Sequence, residues 1–337
     1  MWQEYKYNGA GGSLAYFVYT PEHYRLGTKV PLLVMLHGCT QMALDFATGT
    51  SMNVLAEQHG FIVVYPQQAQ KHNLNRCWNW FDPKHQTRDK GEPAIIAGII
   101  QTIVSSTGLW TIDPQRIYAA GISAGGAMAV IMGATYPDLI AAIGVHSGIE
   151  YKGAENVFAG LQAMKQGGPD PLRQGELAYA AMGASARVIP TIVFHGTDDQ
   201  VSAPINGTQV TQQWMLTNSL ASRGEYVAHI DKPATVTSGQ KPSGYSYVVS
   251  TWGSPDDYPV QVYWKIGGMG HAWSGGDAQG SYSDPLGPNA SLAMYRFFMA
   301  HLLSGPEEMK QVVPLRRWSP RRLLNKVVSY WKTHVKP

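Results

Sequence analysis

Gly121-Ile122-Ser123-Ala124-Gly125 is the stretch from which the fold of this chain is read. It has the form G-x-S-x-G, and its flanks are the ones that pattern needs. Arg116-Ile117-Tyr118-Ala119-Ala120 ahead of it is an apolar run suited to a buried strand. The segment 124–136 behind it, rich in Ala, Met and Gly and stopped by Pro137, reads as a helix. A serine on a sharp turn between strand and helix exposes its hydroxyl, and the glycines on either side relieve the crowding. The five-residue pattern alone is weak evidence, because a Gly-rich turn with a serine also arises by chance. Strand, turn and helix together mark Ser123 as a nucleophile.

Working outward, strand-like and helix-like runs alternate. Strands are expected at 16–19, 32–36, 61–65, 117–120, 139–145, 188–194 and 260–266. Helices are expected near 51–59, over 94–106, after Ser123 and over 289–303, the last capped by Asn289. Such alternation implies an α/β fold, a mostly parallel central sheet with helices on both faces. The strand at 16–19 follows a Gly-rich turn and reads as an antiparallel N-terminal edge. The intervals 150–187 and 228–259 carry no clear period and read as irregular insertions. No internal repeat is present. Residues 1–305 are expected to form a single catalytic domain, followed by a basic tail over 306–337.

A serine hydroxyl is a poor nucleophile near neutrality and needs a base and an orienting carboxylate. On a fold with this elbow the chain order is Ser, then Asp or Glu, then His. His271 lies in Gly267-Gly268-Met269-Gly270-His271-Ala272-Trp273, a flexible loop directly after a strand, and is the expected base. His146, also at the end of an apolar run, is its rival. His301 falls on the apolar-periodic closing helix, His334 in the basic tail, and His229 has no matching loop. For the carboxylate, His195-Gly196-Thr197-Asp198-Asp199 follows the strand at 188–194. Asp199 is favoured, with Asp198 solvated or closing the turn, and His195 shaping the loop. The oxyanion of a tetrahedral intermediate needs two backbone N–H groups. Ala124 supplies one, and Cys39 or Thr40, in His37-Gly38-Cys39-Thr40-Gln41 after the strand at 32–36, is the candidate for the other, Cys39 being the one assigned.

Composition narrows the alternatives. Hydrophobic residues make up 44% and charged residues 15% of 337. No run of eighteen apolar residues can span a membrane. The first residues, Met1-Trp2-Gln3-Glu4-Tyr5-Lys6, lack the basic start and apolar core of a secretory leader, which leaves either a cytoplasmic protein or a leader that this sequence does not include. From Pro306 onward there are eight Lys or Arg and two Glu, a net +6, so a chain of net +3 carries −3 elsewhere. Basic residues interleave there with Trp318, Leu323, Leu324, Tyr330 and Trp331. A helix over 321–333 could rest on an anionic surface or granule, or pack on the body. No nucleic-acid module is present. Cys39 and Cys77 have neither CxxC nor His-Cys spacing, so no metal is expected. Their loops fall at neighbouring strand ends, where a disulfide would stiffen the oxyanion loop; two free thiols are the alternative.

Four blocks, His37-Gly38-Cys39-Thr40-Gln41, Cys77-Trp78-Asn79-Trp80-Phe81, Gly121-Ile122-Ser123-Ala124-Gly125-Gly126-Ala127-Met128 and Gly270-His271-Ala272-Trp273-Ser274-Gly275-Gly276, together resemble the poly(3-hydroxybutyrate) depolymerase family of esterases, which overlaps feruloyl and acetylxylan esterases. The resemblance spans about residues 12–303. It implies an α/β-hydrolase with Ser123, Asp199 and His271 as triad, no cofactor, and an ester, polymeric or small, as substrate. It also implies an extracellular location, against the missing leader. Trp78, Trp80 and Trp273 are expected to line an apolar substrate cleft. An acyltransferase using the same acyl-enzyme, or a binding protein that has lost the chemistry, are the competing readings.

Overall fold

The computed structural model describes residues 1–253 and 258–303. The basic segment 306–337, including the helix expected at 321–333, lies outside the described residues.

The chain opens with a hairpin, β1 (Trp2–Gly9) and β2 (Gly12–Tyr19), in which β2 buries every second side chain. β3 (Val30–Leu36) reads VPLLVML and is buried at every position, as a parallel strand covered on both faces must be. α1 (Ala43–Thr50), α2 (Met52–His59), β4 (Ile62–Gln67), α3 (Gly91–Ser105), β5 (Ile112–Ile122), α4 (Ala124–Thr135) and β6 (Ala142–His146) follow. Then come α5 (Val157–Gln166), α6 (Pro171–Met182), β7 (Thr191–Gly196), α7 (Ile205–Ala221), the hairpin β8 (Thr235–Gln240) and β9 (Ser246–Trp252), and β10 (Gln261–Ile266). A small ribbon, β11 (Trp273–Ser274) with β12 (Ser283–Asp284), precedes α8 (Ala290–Met299).

Ten strands form one sheet in the order β1-β2-β4-β3-β5-β6-β7-β10-β9-β8. The run β4-β3-β5-β6-β7-β10 is parallel, and antiparallel hairpins close both edges. The period of two along β3 splits the core. Leu32, Val34 and Leu36 face a cluster with α3, α4 and α7, while Leu33 and Met35 face one with α1, α2 and α8. Helices on both faces leave the strand ends free, and the register Ile122↔His146↔Phe194 brings the ends of β5, β6 and β7 level.

Several expectations need correction. The expected antiparallel N-terminal edge is present, and the interval 228–259, expected to be irregular, holds the β8–β9 hairpin that makes the opposite edge antiparallel too. The interval 150–187 holds α5 and α6. α7 escapes a sequence reading because its buried face mixes polar with apolar residues: Asn206, Gln213, Thr217 and Asn218 lie inside beside Val210, Trp214 and Met215. Asn218 explains the tolerance, since its amide accepts from Ile189 N at 2.8 Å and donates to Ile189 O at 3.0 Å, closing the start of β7. α8 carries the expected cap, with the Asn289 side chain accepting from Leu292 N at 2.8 Å, but it ends at Met299 and His301 lies beyond it.

Candidate active site

Ser123 joins β5 to α4 with φ 56° and ψ −122°, a conformation that L-residues rarely hold and that marks stored strain. The glycines of the motif are required by close approach. A Cβ on Gly125 would lie 1.9 Å from Leu36 O, and one on Gly121 would lie 2.5 Å from the carbonyl of Gly125. Only hydrogen at both positions lets the end of β3 press against the start of α4. Ser123 N donates to His146 O at 2.9 Å, and its carbonyl accepts from Ala127 N, so the turn is held at both ends. Among the described residues the Ser123 side chain makes no hydrogen bond. Catalytic contacts of this kind commonly tighten only with substrate bound.

The loop after β3 lies beside it: a Cβ on Gly38 would sit 3.5 Å from Ser123 Cβ. Buried Gln41 accepts from Gly38 N at 2.8 Å and donates to Ser281 O at 2.8 Å, a role its sequence position alone did not reveal. His37 donates from Nδ1 to Gly38 O and accepts from Gln68 N at Nε2. Burial pushes its pKa down to about 4, so the ring stays neutral and can serve both bonds. Thr40 N donates to Asn75 O at 2.6 Å, which spends the alternative oxyanion amide. Cys39 N–H and Ala124 N–H, the latter at an open helix N-terminus, have no protein acceptor among the described residues.

Cys39 and Cys77 are joined, S–S 2.07 Å, across 38 residues of sequence. Loop-closure entropy assigns such a bridge roughly 4 kcal/mol. Cys77→Ser is therefore expected to lower unfolding free energy by about that amount. It should also lower ester turnover, because the Cys39 amide loses its tether. Chemical denaturation and steady-state rates of the variant check both effects, and unchanged values in both would contradict this account of the loop.

Asp199 follows β7 and is buried. Its Oδ1 accepts from Val201 N at 2.9 Å and Ser202 N at 2.8 Å. Its Oδ2 accepts from His271 Nδ1 at 2.7 Å and lies 3.4 Å from His195 Nε2. Burial by itself would raise this carboxyl's pKa, but the neighbouring His195 ring and the hydrogen bond from His271 outweigh it and hold the group well below the usual carboxylate range. Asp198, in contrast, is exposed, and its carboxylate bonds only locally, accepting from the Thr197 hydroxyl at 3.1 Å. His195 donates to Ser202 O at 2.8 Å and so shapes the loop. The His271 loop is tied down by Asp198 N to Met269 O and by Trp273 N to Tyr282 O, and the Tyr282 ring stands edge-on to His271. His146, the rival base, is fully buried with both ring nitrogens occupied.

The assignment of three tryptophans to a substrate cleft is corrected. Trp78, Trp80 and Trp273 are 0%, 5% and 1% exposed, packed as core beneath the loops. Trp78 Nε1 donates to His37 O and Trp273 Nε1 to Ser291 Oγ, so the polar edges of these two are also spent inside the protein.

Comparison with known proteins then decides the family. The profile described as "Esterase PHB depolymerase" matches residues 14–228, well over half of the chain. The chain belongs to this family. The matched span carries Ser123 and Asp199; His271 lies beyond it. Poly(3-hydroxyalkanoate) depolymerase C of Paucimonas lemoignei is 36% identical over 206 residues, 60% of this chain and 48% of that protein. Feruloyl esterase B of Neurospora crassa is 29% identical over 209 residues, covering 59% and 68%. This PHB depolymerase family chain thus spans about half the length of the first of these relatives. Among solved structures, an acetyl xylan esterase from Aspergillus awamori superposes with TM-score 0.66 at 23% identity, covering 80% of this chain and 94% of that one. The family member has the α/β-hydrolase fold. Among the described residues, no helix is long and apolar enough to cross a membrane.

Proposed function

We propose that this chain hydrolyses carboxylic esters through an acyl-enzyme on Ser123. His271 takes the Ser123 proton at Nε2 while its Nδ1–H stays bonded to Asp199. Ser123 Oγ attacks the ester carbonyl, and the Cys39 and Ala124 amides receive the oxyanion. Collapse of the tetrahedral intermediate expels the alcohol, which takes the proton from His271. Water then enters by the same route, and the acid leaves with Ser123 restored. The observation that carries this reading is the 2.7 Å bond between His271 Nδ1 and Asp199 Oδ2, at the strand-end edge where Ser123 occupies its strained turn. Family membership supports it independently.

The substrate favoured is a polyhydroxyalkanoate, as the name of the 36% identical relative suggests. Plant cell-wall esters are the second reading, favoured by likeness to a feruloyl esterase and to a probable acetylxylan esterase A of Neosartorya fischeri that is 31% identical over 211 residues. Residues 1–305 are proposed to act as one catalytic unit outside the cell, with the basic tail 306–337 able to meet an anionic surface. Amorphous polyhydroxybutyrate, methyl ferulate and acetylated xylan, offered in parallel, test the choice. Release of 3-hydroxybutyrate in excess of ferulate and acetate is expected. Turnover confined to the plant esters would replace the first reading by the second, and turnover of none would remove both.

A further inference from the structure

We propose that His146 is a positioning residue that couples the nucleophile to the loop carrying the base; the inference rests on the hydrolase reading above. The residue has two ends, and each holds a different part of the site. Its backbone carbonyl accepts from Ser123 N at 2.9 Å, which pins the turn. Its ring accepts at Nε2 from Ser274 N at 3.1 Å, three residues beyond His271. One residue at the end of β6 therefore spans from the Ser123 backbone to the His271 loop.

The ring is built to hold that loop in one place. It stacks on Phe194, centroids 5.7 Å apart and 10° from parallel, and on Trp273, 5.3 Å apart at 27°. Nε2 accepts an amide proton, so the ring hydrogen resides on Nδ1 and donates to Ser147 Oγ at 3.1 Å. Both nitrogens are thereby satisfied in a single neutral tautomer. Burial, reinforced by His195 and His271, keeps the ring uncharged. A proton on Nε2 would set donor against donor and release Ser274. Stacking needs only a flat ring, whereas the tie to the base loop needs an acceptor at the ring's far edge. Those two requirements can be separated by substitution.

The test uses the full chain and p-nitrophenyl butyrate. His146→Phe keeps the stack and removes the acceptor; His146→Gln keeps a carbonyl able to receive the Ser274 amide. Misplacing a catalytic loop by about 1 Å can cost about 100-fold in rate, so His146→Phe is expected to lower kcat on that order. KM should hold, because no group that meets substrate has changed. His146→Gln should recover most of the loss. A Phe variant with the wild-type kcat overturns the inference, as does equal impairment of both variants with KM rising alongside. An inert wild-type chain would overturn the hydrolase reading and this inference together, which distinguishes that failure from the others. Should the Phe variant not fold, ring nitrogen-15 shifts of wild-type His146 decide: hydrogen on Nδ1 supports the tie, and hydrogen on Nε2 overturns it.

Discussion

Ser123→Ala is expected to lower kcat for a p-nitrophenyl ester by about 10⁶-fold, the scale seen when the nucleophile of a serine hydrolase is removed. The fold should survive, since Ala has the same Cβ and adopts the same backbone at no extra cost. Ser123→Gly sharpens the test. Serine at φ 56° and ψ −122° pays a conformational penalty of about 1–3 kcal/mol that glycine does not. The Gly variant should thus be inactive yet at least as stable as the wild type. A chain that loses activity only in proportion to lost stability would show that the strained turn is structural, with no bearing on chemistry. Denaturant midpoints measured beside steady-state rates separate the two.

Asp199→Asn is expected to cost about 10⁴-fold in kcat, the loss associated with an imidazole held in the wrong tautomer. The carboxylate accepts at Oδ2 from His271 Nδ1 and lies beside His195 Nε2, while Oδ1 serves two backbone amides. An amide in its place must turn an NH₂ towards one of these donors. If the NH₂ faces His271, the ring proton moves to Nε2, where the Ser123 proton is meant to go. Stability should fall as well, and with a definite pH signature. The folded pKa of Asp199 lies below its unfolded value, so its contribution is fully present above about pH 4 and drains away as the pH falls towards the folded value. Asp199→Asn should therefore flatten the acid limb of the stability profile. Asp198→Asn, altering an exposed group with a local bond, should change neither rate nor profile.

The sheet was legible where strands are buried on both faces, because β3 and β7 are continuous apolar runs between turn residues and nothing else of that length fits. α7 was not, since periodicity analysis counts apolar residues and this helix buries amides satisfied by partners such as Ile189, which precedes β7. In the hairpin β8–β9, β8 reads TVTSGQ with Val236 its one apolar side chain, and three of the seven residues of β9 are polar, so the pattern resembled a loop. At the site, nucleophile, carboxylate and base were assigned from strand-end position, a property that local sequence carries. Cys39 was assigned over Thr40 with no local residue to separate them; what separates them is Asn75, remote in the chain, which takes the Thr40 amide. The tryptophans misled for a related reason. Their position beside motif residues is a fact of sequence, but whether a ring faces solvent or core is set by what packs over it.

The most direct measurement of the central claim is covalent. The intact chain, treated with a fluorophosphonate and then digested, should carry a single added group, and peptide mapping should place it on Ser123. His271→Ala and Asp199→Asn should slow its formation steeply while leaving the site unchanged. A label on another residue, or no label on a folded wild-type chain, would contradict the proposal that Ser123, Asp199 and His271 work as one unit.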